Sequence, residues 1–267
     1  MDAPGDAAEH GRDRRTLLAG TAQNVVGLVV FVLGTFGANV LVARAFGSAA
    51  AGATALGVVT LATQFAFVAA AGTRFGMDMA AVRDVAIEAG RGAGGRIRAI
   101  VDRAVAVAAL VSAAVAVPVF LAAPWLGARL SDQPDAGSAI RWAAAALPFV
   151  AVTFVSLGAS RGLKVMRHTL VVQWIGQPLL WIALMPLAWR LERTATAAVA
   201  AYTVSWVVSA IVARALWATE ARAFGLFTGV RWMRATVNVP TTATPTHSIP
   251  MYGNRSFSTF SSSQPAP

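Results

Sequence analysis

The sequence predicts an all-α polytopic membrane protein with about six transmembrane helices and both termini in the cytoplasm. The first observation behind this is composition. Hydrophobic residues make up 57% of the 267 residues, and the 23 glycines bring the apolar share to roughly two-thirds, against about 45–50% in soluble domains. Charged residues are only 13%, too few to cover a water-soluble surface. The second is the presence of six apolar runs without an acid or a base. The third is the uneven distribution of basic residues between alternate loops.

The runs are Thr16–Ala43, Ala45–Thr73, Ala104–Ala128, Trp142–Ser160, Thr169–Trp189 and Thr194–Ala213, with lengths of 28, 29, 25, 19, 21 and 20 residues. A helix needs about 20 residues to cross the hydrocarbon core, and an Asp, Lys or Arg at its centre costs about 2.5–3.5 kcal/mol. Backbone groups in lipid must pair internally, and the runs lack the strict alternation of barrel strands. They are therefore read as helices. Ala235–Asn254 is also uncharged, but it is rich in Thr and Pro and would not insert.

The N-terminal segment, the second and fourth loops and the C-terminal segment carry 17 basic residues. The opposite side has five: Arg44, Arg129, Arg141, Arg190 and Arg193. The basic side is assigned to the cytoplasm. Four regions follow: an N-terminal segment 1–15, a six-helix lobe 16–213, an amphipathic interfacial segment 214–234 and a disordered tail 235–267. In the tail, 17 of 33 residues are Ser, Thr or Pro, too little apolar surface to offset the entropy of ordering. Arg14-Arg15-Thr16-Leu17-Leu18 has the look of a twin-arginine signal, but it is read as an anchor for the first helix because a long apolar run and five more spans follow.

The only long internal connection is Arg74–Arg103. Val82, Val85 and Ala86, and then Ile97, Ile100 and Val101, recur at helical spacing among charges, which predicts short amphipathic helices lying at the membrane surface. Between them Gly90–Gly95 matches GxGxxG, but a helical pattern precedes it where a dinucleotide site needs a strand, so it is read as a turn. Asp132 and Asp135 are read as solvated turn residues.

Enzyme signatures and cysteines are absent from the sequence. The histidines are scattered, and eight of the twelve acids lie in the N-terminal segment or the second loop. General acid–base chemistry needs titratable groups within reach of one another, so no enzyme, cofactor or metal is expected. A net charge of +10 suits nucleic acid only when it forms a patch. Here the arginines punctuate apolar runs, so no nucleic-acid partner is expected. What remains inside the runs is polar and uncharged. Gln23, Asn24, Gly27 and Gly34 fall within about 100° on the first helix, with Asn39 further round, and Gln173, Gly176 and Gln177 share a face of the fifth. Such amides face protein or a hydrated cavity, since lipid cannot bond them. Pro118, Pro148, Pro178 and Pro186 are candidate kinks.

The stretch Leu41-Val42-Ala43-Arg44-Ala45-Phe46-Gly47-Ser48-Ala49-Ala50-Ala51-Gly52 resembles the junction of helices 1 and 2 in the polysaccharide flippases. These belong to the multidrug/oligosaccharidyl-lipid/polysaccharide exporter superfamily. Ala51 stands where that family carries an aromatic residue. Gly72-Thr73-Arg74, the basic loop after it, and Ser160-Arg161-Gly162-Leu163-Lys164 agree with the family, and the resemblance spans about residues 12–222.

The resemblance implies one lobe of a two-lobe fold, in a bacterial inner membrane. It further implies translocation of a polyprenyl-pyrophosphate-linked glycan through a cationic cavity by alternating access. On it, Arg44 and Arg74 would contact the anionic headgroup, Gln23 and Asn24 would bond the solute, and Arg161 and Lys164 would attract headgroups at the cytoplasmic mouth. The expected partners are membrane lipid, a lipid-linked glycan, and a second copy or a separate second lobe. A truncated or frame-shifted product, a small-molecule exporter of the same superfamily and a non-transporting scaffold subunit of a polysaccharide-synthesis complex are the alternatives.

Overall fold

The computed structural model describes residues 25–92 and 94–223. These form seven helices: α1 Val25–Arg44, α2 Ala49–Arg74, α3 Met77–Gly90, α4 Gly94–Leu130, α5 Ala136–Gly162, α6 Arg167–Leu191 and α7 Ala195–Ala223. All but α3 are long and apolar enough to span a membrane. Among the described residues there is no strand. The arginine pair of the N-terminal segment, Gln23, Asn24 and the expected disordered tail lie outside the described residues.

The α1–α2 junction shows why its glycines stand where they do. The turn needs a left-handed residue at Gly47, whose φ is 77°. A Cβ on Gly52 would collide with the carbonyl oxygen of Ala43, so only glycine lets the two backbones cross there. Ser48 caps α2, its hydroxyl accepting the Ala51 N–H at 3.2 Å.

The helix α5 lies at the centre, packed on α2, α3, α4 and α7. Its alanines, among them Ala139, Ala143, Ala146 and Ala151, are fully buried. Small residues of this kind let helices approach closely enough for dispersion contacts to hold them in lipid. By contrast α1 and α4 present rows of exposed apolar side chains, such as Val32 and Leu33 or Leu110 and Leu121, as lipid-facing surfaces do.

The second loop differs from the expectation of two helices lying on the membrane. Only α3 is a separate short helix. The second amphipathic segment is the start of α4, whose 37 residues extend about 55 Å, well beyond a core of about 30 Å. Val85, Ile97 and Val101 are fully buried against Trp217 and Ala221 of α7 and Leu163, so their apolar faces meet protein instead of lipid. The formal GxGxxG runs from Gly90 at the end of α3 through a turn with Gly92 at φ 70° to Gly94 and Gly95 at the start of α4, with Ala93 outside the described residues.

Backbone proximity holds α3 onto α5. A Cβ on Gly158 would lie 2.5 Å from the Asp78 carbonyl oxygen, and one on Gly162 would lie 2.8 Å from that of Val82. Gly158 and Gly162 form a small-xxx-small face of the kind that seats close helix pairs. Ion pairs fasten the same end of the bundle: Arg214 to Asp102 at 2.8 Å, Arg91 to Glu88 at 2.8 Å, and Arg167 to Glu220. The described part of 214–234, up to Ala223, continues α7 without a break, and Trp217 within it is buried.

Pro118 and Pro124 in α4, Pro148 in α5 and Pro186 in α6 sit inside continuous helices. In α6 a π-helical segment, Leu170–Gly176, precedes Pro178. A proline lacks an N–H and pushes against the carbonyl four residues back, and a wider π turn accommodates both. Gly176 permits it, since a Cβ there would lie 2.6 Å from the Val171 carbonyl oxygen.

Candidate functional site

A cavity of about 390 Å³ opens between α1, α2, α5, α6 and α7. Its polar lining is Thr35 and Asn39 of α1, Thr60, Thr63 and Gln64 of α2, and Gln173 and Gln177 of α6. Phe154, Trp174, Trp181, Tyr202 and Trp206 supply aromatic walls, and no lining residue is charged. The aromatic part is a connected stack. Phe154 lies on Trp206 at 6.0 Å between ring centroids, Tyr202 meets Trp206 edge-on at 6.1 Å, and Trp181 meets Tyr202 at 5.2 Å. Edge and offset packing of this kind is the favoured aromatic geometry.

Some polar groups of the lining are already paired. Gln177 donates to the Ser205 hydroxyl at 3.2 Å, Trp181 to the Ala198 carbonyl at 2.9 Å, and Thr63 to the Val59 carbonyl at 2.8 Å. Another keeps free capacity. The indole N–H of Trp174 is buried without a hydrogen-bond acceptor among the described residues. A buried donor without a partner is costly, and water or a hydroxyl-bearing solute in the cavity would relieve it.

The sequence-predicted residues divide. Gln173 and Gln177 line the cavity, as does Asn39, whereas Gly27 and Gly34 are contact points between helices. A Cβ on Gly27 would lie 2.7 Å from Leu170 and one on Gly34 3.0 Å from Pro178, so that face of α1 seats α6. Gln23 and Asn24, on the same predicted face, lie outside the described residues.

None of the predicted cations lines this cavity, because the helices around it carry arginine only toward their ends. Arg74 closes α2 directly beneath the aromatic stack. It is buried, its guanidinium carbon lies 3.8 Å from the Phe154 ring centroid, and its Nε donates to the Ala70 carbonyl at 3.0 Å. Asp78 is 3.8 Å away. Arg161 is half-buried in the last turn of α5 and Lys164 is exposed in the turn after it, at φ 62°. At the opposite end Arg44 is exposed in a crevice of about 440 Å³ with Arg190 and Arg193.

Sequence reasoning missed Thr60, Thr63 and Gln64. Their i, i+3, i+4 spacing is the same signal that picked out Gln173, Gly176 and Gln177. It also missed the cluster at the basic end, where Glu220 is buried between Arg167 and His168, whose Nε2 is 3.4 Å from the carboxylate and whose Nδ1 is 3.2 Å from the Ser160 hydroxyl. Glu220 lies past the last apolar run but still within the length of α7.

The MatE family model matches residues 38–187, more than half of the chain, from the last turns of α1 into α6. No curated protein and no solved structure matches the chain.

Proposed function

Because the chain belongs to the MatE family, whose members are transporters rather than enzymes, we propose that this multi-pass membrane protein moves polyprenyl-linked oligosaccharide precursors across the bilayer by alternating access. The observation that carries the reading is the cavity lining. Amides and hydroxyls beside an aromatic stack are the chemistry that holds sugars, the amides bonding hydroxyls and the rings covering apolar sugar faces. The pyrophosphate would be handled at the ends of the bundle. Arg44 meets it on the side with few basic residues, and Arg161 and Lys164 draw headgroups to the cytoplasmic mouth. Arginine suits that role because its planar fork bonds phosphate through two N–H groups.

Arg74 acts one layer below, holding Phe154. In this reading a second copy or a separate second lobe packs against this one to complete the path. For this activity both termini lie in the cytoplasm and the protein in a bacterial inner membrane.

The absence of charge from the lining favours a second reading, export of an apolar or aromatic small molecule of the kind that stacks on Trp181 and Trp206. Proteoliposomes separate the two. Protein-dependent transfer of a fluorescent polyprenyl-pyrophosphate glycan across the bilayer supports the first reading. Efflux of an aromatic dye without glycan transfer refutes it in favour of the second.

A further inference from the structure

The five arginines on the sparsely charged side do not behave alike. Arg129 and Arg141 each sit over an aromatic ring of their own hairpin, 5.7 Å from the centroids of Trp125 and Phe120 respectively. Arg44, Arg190 and Arg193 instead converge on one crevice of about 440 Å³, although 146 residues separate Arg44 from Arg190 in the chain. All three are exposed, and none makes an ion pair or a side-chain hydrogen bond among the described residues. No acid lines the crevice.

The crevice is built, not incidental. Its wall is Trp189, held from two directions: its ring meets Phe46 edge-on at 6.0 Å between centroids, and its Nε1 donates to the Thr194 carbonyl at 3.1 Å. Leu41 and Pro186 complete the apolar side. The three cations come from two stretches far apart in sequence, Arg44 from the end of α1 and Arg190 and Arg193 from the last turn of α6 and the turn after it. Helix C-termini attract cations, which accounts for Arg44 and Arg190 singly but not for Arg193, nor for their convergence. Like charges gathered in one place repel, and they do so here on the side where basic residues are disfavoured. Such an arrangement is stabilised by an anion.

We infer that Arg44, Arg190 and Arg193 form a binding site for a phosphate-bearing anion, a phosphomonoester or pyrophosphate group, at the end of the bundle opposite α3. Three guanidinium forks around one tetrahedral group provide bidentate bonds from several directions. The volume lies within the range of small-molecule sites. A tryptophan wall at a span end places the crevice at headgroup level, so the phosphate could belong to a lipid or be free in solution. The site rests on its own geometry and stands whether or not the chain moves a glycan.

The chain has no cysteine, so Leu191→Cys, exposed beside the crevice and outside its lining, gives a single local label. The labelled full chain, in phosphatidylcholine nanodiscs, is titrated with inorganic pyrophosphate. A saturable change in label fluorescence is expected, weakened at least tenfold by R44Q/R190Q/R193Q and unaltered by R129Q/R141Q. Phosphatidic acid in the nanodisc distinguishes the sources: a right-shifted pyrophosphate curve assigns the site to a lipid headgroup, an unshifted one to a free anion.

R44K/R190K/R193K keeps the charge and loses the forks, so binding intermediate between wild type and the glutamine triple is expected. The inference is overturned if neither pyrophosphate nor phosphatidic acid alters the label. It is equally overturned if the control pair weakens binding as much as the triple.

Discussion

Replacing Gly158 and Gly162 by alanine tests how α3 is held, and the structure supplies its own control. Gly57, in the middle of α2, has open space where a Cβ would go. Gly57→Ala should stabilise by about 0.5–1 kcal/mol through the lower backbone entropy of alanine. The same gain applies at Gly158 and Gly162, but there the new methyl group stands 2.5 and 2.8 Å from backbone carbonyl oxygens of α3. A carbonyl within a helix cannot turn aside as a side-chain tip does, so α3 must move outward, and overpacking of this kind costs about 1–3 kcal/mol. The net loss expected at each site is about 0.5–2 kcal/mol, and more in the double variant, because both contacts seat the same helix. Val85→Cys gives the local readout, since Val85 is fully buried. Its maleimide labelling should be slow in the parent and clearly faster with Gly158→Ala/Gly162→Ala, together with a lowered melting temperature in detergent. If the double variant gains stability as Gly57→Ala does, with labelling unchanged, the close seating of α3 on α5 is wrong.

Further perturbations separate packing from charge. Arg74→Ala should lower stability by about 1–2 kcal/mol, the worth of a desolvated cation–π contact, whereas Arg74→Lys should lose less because it retains the charge over Phe154; thermal unfolding in detergent measures both. Trp181→Phe keeps the ring and removes the N–H bonded to the Ala198 carbonyl, so about 1 kcal/mol is expected to be lost, and an unchanged melting temperature would refute the bond. A double-mutant cycle on Asp102→Asn and Arg214→Gln should give a coupling below about 1 kcal/mol, because both side chains remain more than a third exposed. A larger coupling would mean that this pair is shielded from solvent.

Much of the bundle was legible because charge is so costly in lipid: α4, α5 and α6 contain their apolar runs whole, α2 and α7 contain all but the first few residues of theirs, and α1 contains the described part of its own. The helix ends were not legible. Arg74 stops an apolar run, and Glu88 and Glu220 lie outside every run, yet all three are buried, because folding gave them partners that composition cannot show. The same reason explains the second loop, where Ile97 and Val101 read as lipid-seeking but meet Trp217 from a distant helix. The cavity was half legible. Where nearly every face of a helix is apolar, hydrophobic periodicity says little, and only spaced polar residues mark the interior; Gln173 and Gln177 stood out by that signal, and Thr60, Thr63 and Gln64 carried it unread. The meeting of Arg44 with Arg190 and Arg193 left no local mark, because it depends on how α1 and α6 pack.

The most direct test of the account asks whether the cavity between α1, α2, α5, α6 and α7 is the path of the transported solute. In the cysteine-free chain, Gln173→Cys places a reactive thiol in the cavity, and Leu110→Cys places one on the exposed face of α4. Each is reconstituted and treated with a bulky thiol reagent before transfer of the fluorescent polyprenyl-pyrophosphate glycan is measured. The account predicts that modification at position 173 abolishes transfer while modification at position 110 leaves it intact. Undiminished transfer after complete modification at 173, or equal loss at both positions, would contradict it.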